Sequence, residues 1–311
     1  MQDPDPQPVP VVAVVGTTAS GKSALGLDIA EAVGGPGAAE IVNADAMQLY
    51  RGMDIGTAKL SVAERRGVVH HQLDVLDVRE EANVAAYQVA ARADLAAVHG
   101  RGRLPLLVGG SGLYVRAVLD HLDFPGTDPA VRAALEERAA TEGTWRLHEE
   151  LTRADPDAAA RIDPRNTRRV VRALEVLTLT GVRFSARMPE HTYAVPAVQL
   201  AVAVSRPELD ARIAARAAAM MRAGLVEETE ALLGRGLAQG VTARRAVGYA
   251  QAADVVAGRL TREEATDAIA LATRQLARRQ EKWFRRDPRI TWLTAGDGGT
   301  VREQALRTLG L

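Results

Sequence analysis

Short, unbroken apolar runs alternate along this chain with longer segments in which apolar positions recur every three to four residues. Residues 9–15 form the first short run, and its length and valine content predict a strand buried on both faces. Helical spacing follows over residues 22–33. EIVNAD (residues 40–45) predicts a second strand with Asp45 at its carboxyl end, and residues 83–102 return to helical spacing. LPLLVGGSGLYVRAVLD (residues 104–120) then gives a third strand, a glycine turn and a helix. Such alternation predicts an α/β fold, a doubly wound parallel sheet with right-handed crossovers. Ligands of such sheets sit at the carboxyl ends of the strands, where the turn after the first strand, Asp45 and residues 109–111 converge.

From residue 128 to 193 the pattern changes to charged, alanine-rich helices with no strand signal. Alternation resumes with AVQLAVAVS (residues 197–205), a helix from about Pro207 and a last short strand at RITWL (residues 289–293). A helical stretch between two strands of one sheet reads as an inserted subdomain. The expected division is core over residues 9–125, helical insertion over 126–196 and core again over 197–311.

Composition narrows the chemistry. With 311 residues, 47% of them hydrophobic, the chain can bury a sizeable core. Its formal net charge is zero, so a nucleic-acid partner must be met by a local basic patch. The absence of cysteine excludes a disulfide framework, a thiolate zinc site and a cysteine nucleophile. The opening MQDPDPQPVP is acidic and proline-rich where a signal peptide needs a basic end and an apolar run, and no stretch is long enough to span a membrane. The expectation is a cytoplasmic monomer with a frayed first segment and no membrane partner.

Residues 16–23 satisfy G-x-x-x-x-G-K-[ST], with Gly16, Thr17, Thr18, Ala19, Ser20, Gly21, Lys22 and Ser23 between the predicted strand and helix. The glycines let successive amides face one anion, the helix amino terminus adds positive potential, Lys22 supplies a mobile charge and Ser23 offers a hydroxyl to Mg²⁺. The loop therefore binds a di- or triphosphate, and the fold class becomes a P-loop-type sheet with an inserted helical subdomain. Taken alone, such a loop suggests a small-molecule kinase or hydrolase with ATP bound. Those enzymes usually carry an apolar strand ending in aspartate, whereas LPLLVGG ends in glycine. Asp45 alone ends a strand as an acid, and it is equally a metal-binding carboxylate or a general base. Arg212 and Arg216 lie four apart on one helix face, either reaching that phosphate or paired in solvent with Glu208 and Asp210.

Arg161, Arg165, Arg168, Arg169 and Arg172 fall within twelve positions, a phosphate-binding stripe or a solvated helix face. TRQLARRQEKWFRR (residues 273–286) joins basic residues to Trp283 and Phe284, which suit base stacking or core packing. His70 and His71 have no second histidine pair at ligand spacing, so a loop lining the site is expected rather than zinc.

GTTASGKS, NADAMQLYRGMDIGTAK, HHQLDVLDV, VGGSGLYVRAVL, DPRNTRRVVRALEV, AVGYAQ and ATRQLARRQEKWF together resemble the tRNA dimethylallyltransferase family, which modifies adenosine 37, in that family's order over nearly the whole chain. The resemblance implies that the loop holds the diphosphate of dimethylallyl diphosphate, that Asp45 is the base, and that Arg212 or Arg216 reaches the diphosphate. It implies tRNA contacts from Asp45, Ala46, Met47 and Gln48, from Ser111 and Arg132, from Arg168, Arg169 and Arg172, and from Arg245, Gly248 and Tyr249. Gln48 has the amide needed to read an adenine edge. Ala46 stands where the family has serine, Thr17 where it has proline and Ala250 where it has a basic residue. The insertion becomes a tRNA clamp. Three rivals remain, a small-molecule kinase with ATP in the loop, a non-catalytic RNA-binding module and prenyl transfer to a free adenine nucleotide, and the basic insertion argues for a large substrate.

Overall fold

The computed structural model describes residues 10–185, 191–296 and 299–311; residues 1–9, all but the last of the segment expected to fray, lie outside them. One sheet carries six parallel strands: β1 (Val11–Val15), β2 (Ala39–Asn43), β3 (His70–His71), β4 (Leu104–Gly109), β5 (Ala197–Val202) and β6 (Ile290–Leu293). Their spatial order is β3-β2-β4-β1-β5-β6. The chain thus steps outward from β1 to β2 and β3, returns to fill the gap with β4, and then builds the other side. Sequence reading found five of these strands. It missed β3 because two residues are too few to show a period of two.

All five residues of β1 are buried, which is why its run shows no polar alternation. Val11, Ala13 and Val15 join a core with α2 (Val84–Gly100) and α3 (Gly112–Leu119), while Val12 and Val14 pack with α1 (Lys22–Ala32) on the other face. Asn83 starts α2, accepting from the amides of Ala85 and Ala86.

The chain forms two compact units. One comprises residues 1–119 and 193–311, the other Asp120–Thr192. The second holds α4 (Pro129–Thr141), α5 (Thr144–Ala154), α6 (Pro156–Arg161) and α7 (Thr167–Thr180), around its own core of Leu135, Leu147, Leu151, Val170 and Leu174. Its borders fall a few residues before the sequence boundaries of 126 and 196. The amides of Ala194 and Val195 donate to the Leu119 carbonyl, which ties those residues to the sheet unit.

After β5 come α8 (Arg206–Arg222), α9 (Leu225–Gly234), α10 (Tyr249–Val256) and α11 (Arg262–Phe284), which bury Tyr50, Met53 and Tyr249 in a further core. α12 (Val301–Leu309) packs on α1. Phe284 is core, and the Trp283 ring fills the space that a side chain at Gly112 would need. Phe284 is therefore closed to base stacking, while Trp283 stays half-buried. Among the described residues no helix is long and apolar enough to cross a membrane.

His71 explains how the short β3 is held. Its Nε2 lies 2.6 Å from Glu40, a buried β2 carboxylate that also accepts from Arg101 at 2.7 Å and Arg103 at 2.6 Å. The Arg101 hydrogen bonds, with help from His71 and Arg103, outweigh burial and hold the Glu40 carboxyl at about 2, below its ordinary 4.5. Its contribution to stability is complete above the ordinary value and is lost as pH falls toward about 2. Glu40→Ala should cost about 1–3 kcal/mol in denaturant unfolding, less than a fully buried pair because both arginines keep access to water. The deficit relative to wild type should shrink on acidification.

Candidate functional site

The turn from β1 into α1 uses backbone that most side chains resist. Gly16 has φ +127° and Gly21 φ +96°, while Ala19 accepts φ +63° despite its Cβ. No side chain caps α1 at Gly21, so the amides of its first turn stay open to an anion. Lys22 Nζ lies 3.4 Å from the Thr17 carbonyl. Burial, with Arg216 adding to it and Asp45 opposing, lowers its pKa from the ordinary lysine value. The Ser20 hydroxyl is buried without a hydrogen-bond partner among the described residues.

β2 ends at Asn43, two residues short of the sequence expectation, so Asp45 stands in the turn beyond the strand. The Asn43 carboxamide shapes that turn. Its Oδ1 accepts from the Asp45 amide at 3.1 Å and its Nδ2 donates to the carbonyls of Asp45 and Gln72 at 3.0 and 2.9 Å. One Asp45 carboxylate oxygen accepts from the Met47 amide at 3.0 Å. Residues 109–112 hold this turn against the sheet. A Cβ at Gly109 would run into the Ala44 carbonyl. The Ser111 amide donates to that carbonyl at 3.1 Å, and its Oγ accepts from the Ala46 amide at 3.0 Å. Ser111 thus orders the Asp45 segment through that segment's backbone.

Phosphate loop and Asp45 turn meet in a cavity of ≈ 250 Å³. Lys22, Ser23, Arg216, Asp45 and Gln48 line it together with the apolar Ile41, Leu60 and Val108. Among the described residues Asp45 is the only carboxylate lining it, and β4 contributes glycine where a kinase would offer an acid. Such a cavity can hold an anion at one end and a neutral group beside a base. Arg216, its pKa lowered by burial and then by Arg212, faces the cavity. Arg212 braces the loop from outside, approaching the Ala19 and Ser20 carbonyls at 3.5 and 3.4 Å and pairing with Glu208 at 2.6 Å. Gln48 spends its amide nitrogen on the Thr57 carbonyl at 3.1 Å. His70 also lines this cavity, from a strand and not a loop.

Other sequence candidates lie elsewhere. Tyr249 is wholly buried, its hydroxyl donating to Glu228 at 2.5 Å and accepting from the Gly56 amide at 3.2 Å. It is a core strut rather than a surface for tRNA, and Gly248 (φ +98°) starts its helix. Arg245 is exposed on the preceding turn. In the inserted unit, Arg132 and Arg172 both pair with buried Glu175, at 2.9 and 2.7 Å. Burial raises the Glu175 pKa, but the two guanidiniums outweigh it and the net direction is down. Arg168 and Arg169 remain exposed on the first turn of α7.

Sequence reasoning missed three residues that build the site. Glu228 accepts from the amides of Asp54 and Ile55, and Lys59 donates to the Tyr50 carbonyl at 2.8 Å and pairs with Asp54 and Asp74. Together they fold the YRGMDIGTAK segment that walls the cavity. Gln280 of α11 accepts from the Thr18 amide at 2.8 Å. The quoted motifs contained all but Glu228, yet nothing local gives these polar residues a partner 15 to 262 positions away.

A family model described as IPP transferase matches residues 48–287. A curated tRNA dimethylallyltransferase of Kineococcus radiotolerans is 58% identical, over 97% of this chain and 96% of the relative, and one of a Nocardioides species is 56% identical, over 96% and 95%. Among solved structures, the full-length tRNA isopentenylpyrophosphate transferase of Bacillus halodurans is 37% identical with a TM-score of 0.69, covering 97% of this chain and 96% of that one. A eukaryotic dimethylallyltransferase acting on tRNA gives a TM-score of 0.80 at 25% identity, over 95% of this chain and 77% of its own.

Because Lys22 titrates below the ordinary lysine value of 10.5, binding of inorganic diphosphate should weaken as pH rises through that lowered value. Calorimetric titrations between about pH 7 and 10 check this. Lys22→Met should bind weakly throughout and lose the alkaline limb, whereas a wild-type affinity that stays flat would remove Lys22 from the anion site.

Proposed function

The chain belongs to the IPP transferase family, and on that footing we propose that it transfers a dimethylallyl group from dimethylallyl diphosphate to N6 of adenosine 37 in tRNA. The observation that supports this reading best is the meeting of a phosphate loop and a single carboxylate, Asp45, in one cavity. Adenine N6 is a poor nucleophile because its lone pair is delocalised into the ring. Attack on an allylic carbon therefore needs a base for the amine proton and cations for the departing charge. In the proposed step the N6–C1 bond forms as the C1–O bond to diphosphate breaks; the electron pair leaves with diphosphate and the N6 proton goes to Asp45.

Lys22, Arg216 and the open amides of the later loop and the first turn of α1 receive the leaving group. Both cations lose hydration in the protein, and a bound diphosphate restores favourable charge around them. Mg²⁺ fits this donor set, since it commonly binds through one or two protein oxygens, phosphate oxygens and water, and Ser23 Oγ would hold it. When bound it offsets charge on the diphosphate. Adenosine 37 is stacked within the anticodon loop and must swing out to bring N6 to Asp45. Gln48 has its carbonyl oxygen and one amide hydrogen for the base edge, the other hydrogen going to the Thr57 carbonyl. In the inserted unit Arg168 and Arg169, exposed on α7, grip the tRNA backbone, while Arg132 and Arg172 chiefly set the unit's own structure through Glu175.

Asp45→Asn should leave diphosphate affinity intact and slow transfer to tRNA by about two to four decades, the usual worth of a positioned base. Single-turnover assays with labelled dimethylallyl diphosphate measure this, and full activity would exclude Asp45 as the base. The same assay with AMP, or protection of the loop by ATP alone, would favour the nucleotide or kinase alternatives. Replacing Arg168 and Arg169 together by alanine should weaken tRNA binding and flatten its salt dependence by about one log–log unit per lost phosphate contact. Diphosphate affinity without tRNA should not change; an unaltered salt slope would mean that the two arginines face only water.

A further inference from the structure

Gln280 lies on α11, remote in sequence from every part of the site, yet its carboxamide is used at both ends. Oε1 accepts from the Thr18 amide at 2.8 Å and Nε2 donates to the Gly110 carbonyl at 3.0 Å. A Cβ at Gly110 would stand 2.7 Å from Gln280 Nε2, so the carboxamide would have to shift, and 3.0 Å from the Gly16 carbonyl. The next residue, Ser111, carries both hydrogen bonds to the Asp45 segment. A continuous run of polar contacts thus leads from the phosphate loop through Gln280 to the base.

We propose that Gln280 is a positioning residue that sets the phosphate loop relative to Asp45, and so places leaving group and base around one allylic carbon. The proposal rests on the function argued above. Its chemistry is specific to a carboxamide. Only a group that donates and accepts at once closes both contacts; a carboxylate accepts alone, and an aliphatic chain does neither. Gln280 also occupies the Thr18 N–H, which directs a bound diphosphate toward the later loop amides and the first turn of α1. Reaction between two held groups is sensitive to small displacements, and about 1 Å of misplacement can cost about 100-fold in rate.

Gln280→Met keeps length and volume while removing both hydrogen bonds, and Gly110→Ala disturbs the same contact from its other side. In the full-length chain both should lower kcat for prenyl transfer by about 10–100-fold at saturating tRNA and prenyl donor. The Kd for tRNA, measured without the donor, should stay at the wild-type value. A variant with wild-type kcat overturns the proposal, and so does a loss confined to tRNA affinity, which would make Gln280 a tRNA contact. Hydrogen exchange at the Thr18 amide tests it without mutation: protection in the wild-type free protein supports the clasp and fast exchange overturns it. Failure of the wild-type chain to bind inorganic diphosphate or to prenylate tRNA would instead strike the functional reading, and this inference with it.

Discussion

The site depends on the close approach of backbone at residues 109–112, where β4 ends. Four neighbours converge there: the Ala44 carbonyl on Gly109, the Gln280 carboxamide on Gly110, the Ala46 amide on Ser111 and the Trp283 ring on Gly112. A Cβ at Gly109 would meet backbone, and one at Gly110 or Gly112 would displace Gln280 or Trp283, so glycine serves here through its missing side chain and not through a special φ. The contacts bring together elements far apart in the chain, the phosphate loop, the Asp45 turn and the last long helix. Interiors pack too tightly to absorb a methyl group without displacement, and displacement at this junction would separate base from anion site.

Charge is distributed to suit that geometry. The cavity gathers Lys22 and Arg216 against one carboxylate, an unequal balance that a dianionic or trianionic guest corrects. Arg212 stays outside, neutralised by Glu208 while it braces the loop carbonyls. The inserted unit follows the same economy. Glu175 is buried with no solvent to stabilise it, so it takes Arg132 and Arg172 as partners and leaves Arg168 and Arg169, one turn earlier on α7, exposed. Along one helix, therefore, one arginine is held by a buried carboxylate while the two in the turn before it stay exposed.

Local signals made much of this legible. Strands buried on both faces appear as unbroken apolar runs, and the spacing Gly16, Gly21, Lys22, Ser23 encodes the phosphate loop because its chemistry is carried by consecutive backbone. Asp45 could be singled out as the acid following a strand, and the motif order supplied the family. The paired roles of Arg212 and Arg216 were half visible. Their four-residue spacing put them on one face, but only the packing of α8 decided that Arg216 lines the cavity and Arg212 does not.

What the tertiary structure alone decided are the roles that depend on a distant partner. Tyr249 sits in a motif that resembles a tRNA contact, yet Glu228 and Gly56 draw its hydroxyl into the core. Phe284 looks suited to stacking until the sheet is placed beside it, and the Trp283 ring is laid against Gly112. β3 exists because Glu40 and His71 meet across 31 positions, and Gln280 acts at a loop 262 residues away. A polar side chain accepts any partner of the right geometry, so sequence fixes its hydrogen-bonding capacity while the fold selects the atom that meets it. Periodicity and contiguous loops survive in the linear code; long-range complementarity is settled only when the sheet brings its strand ends together.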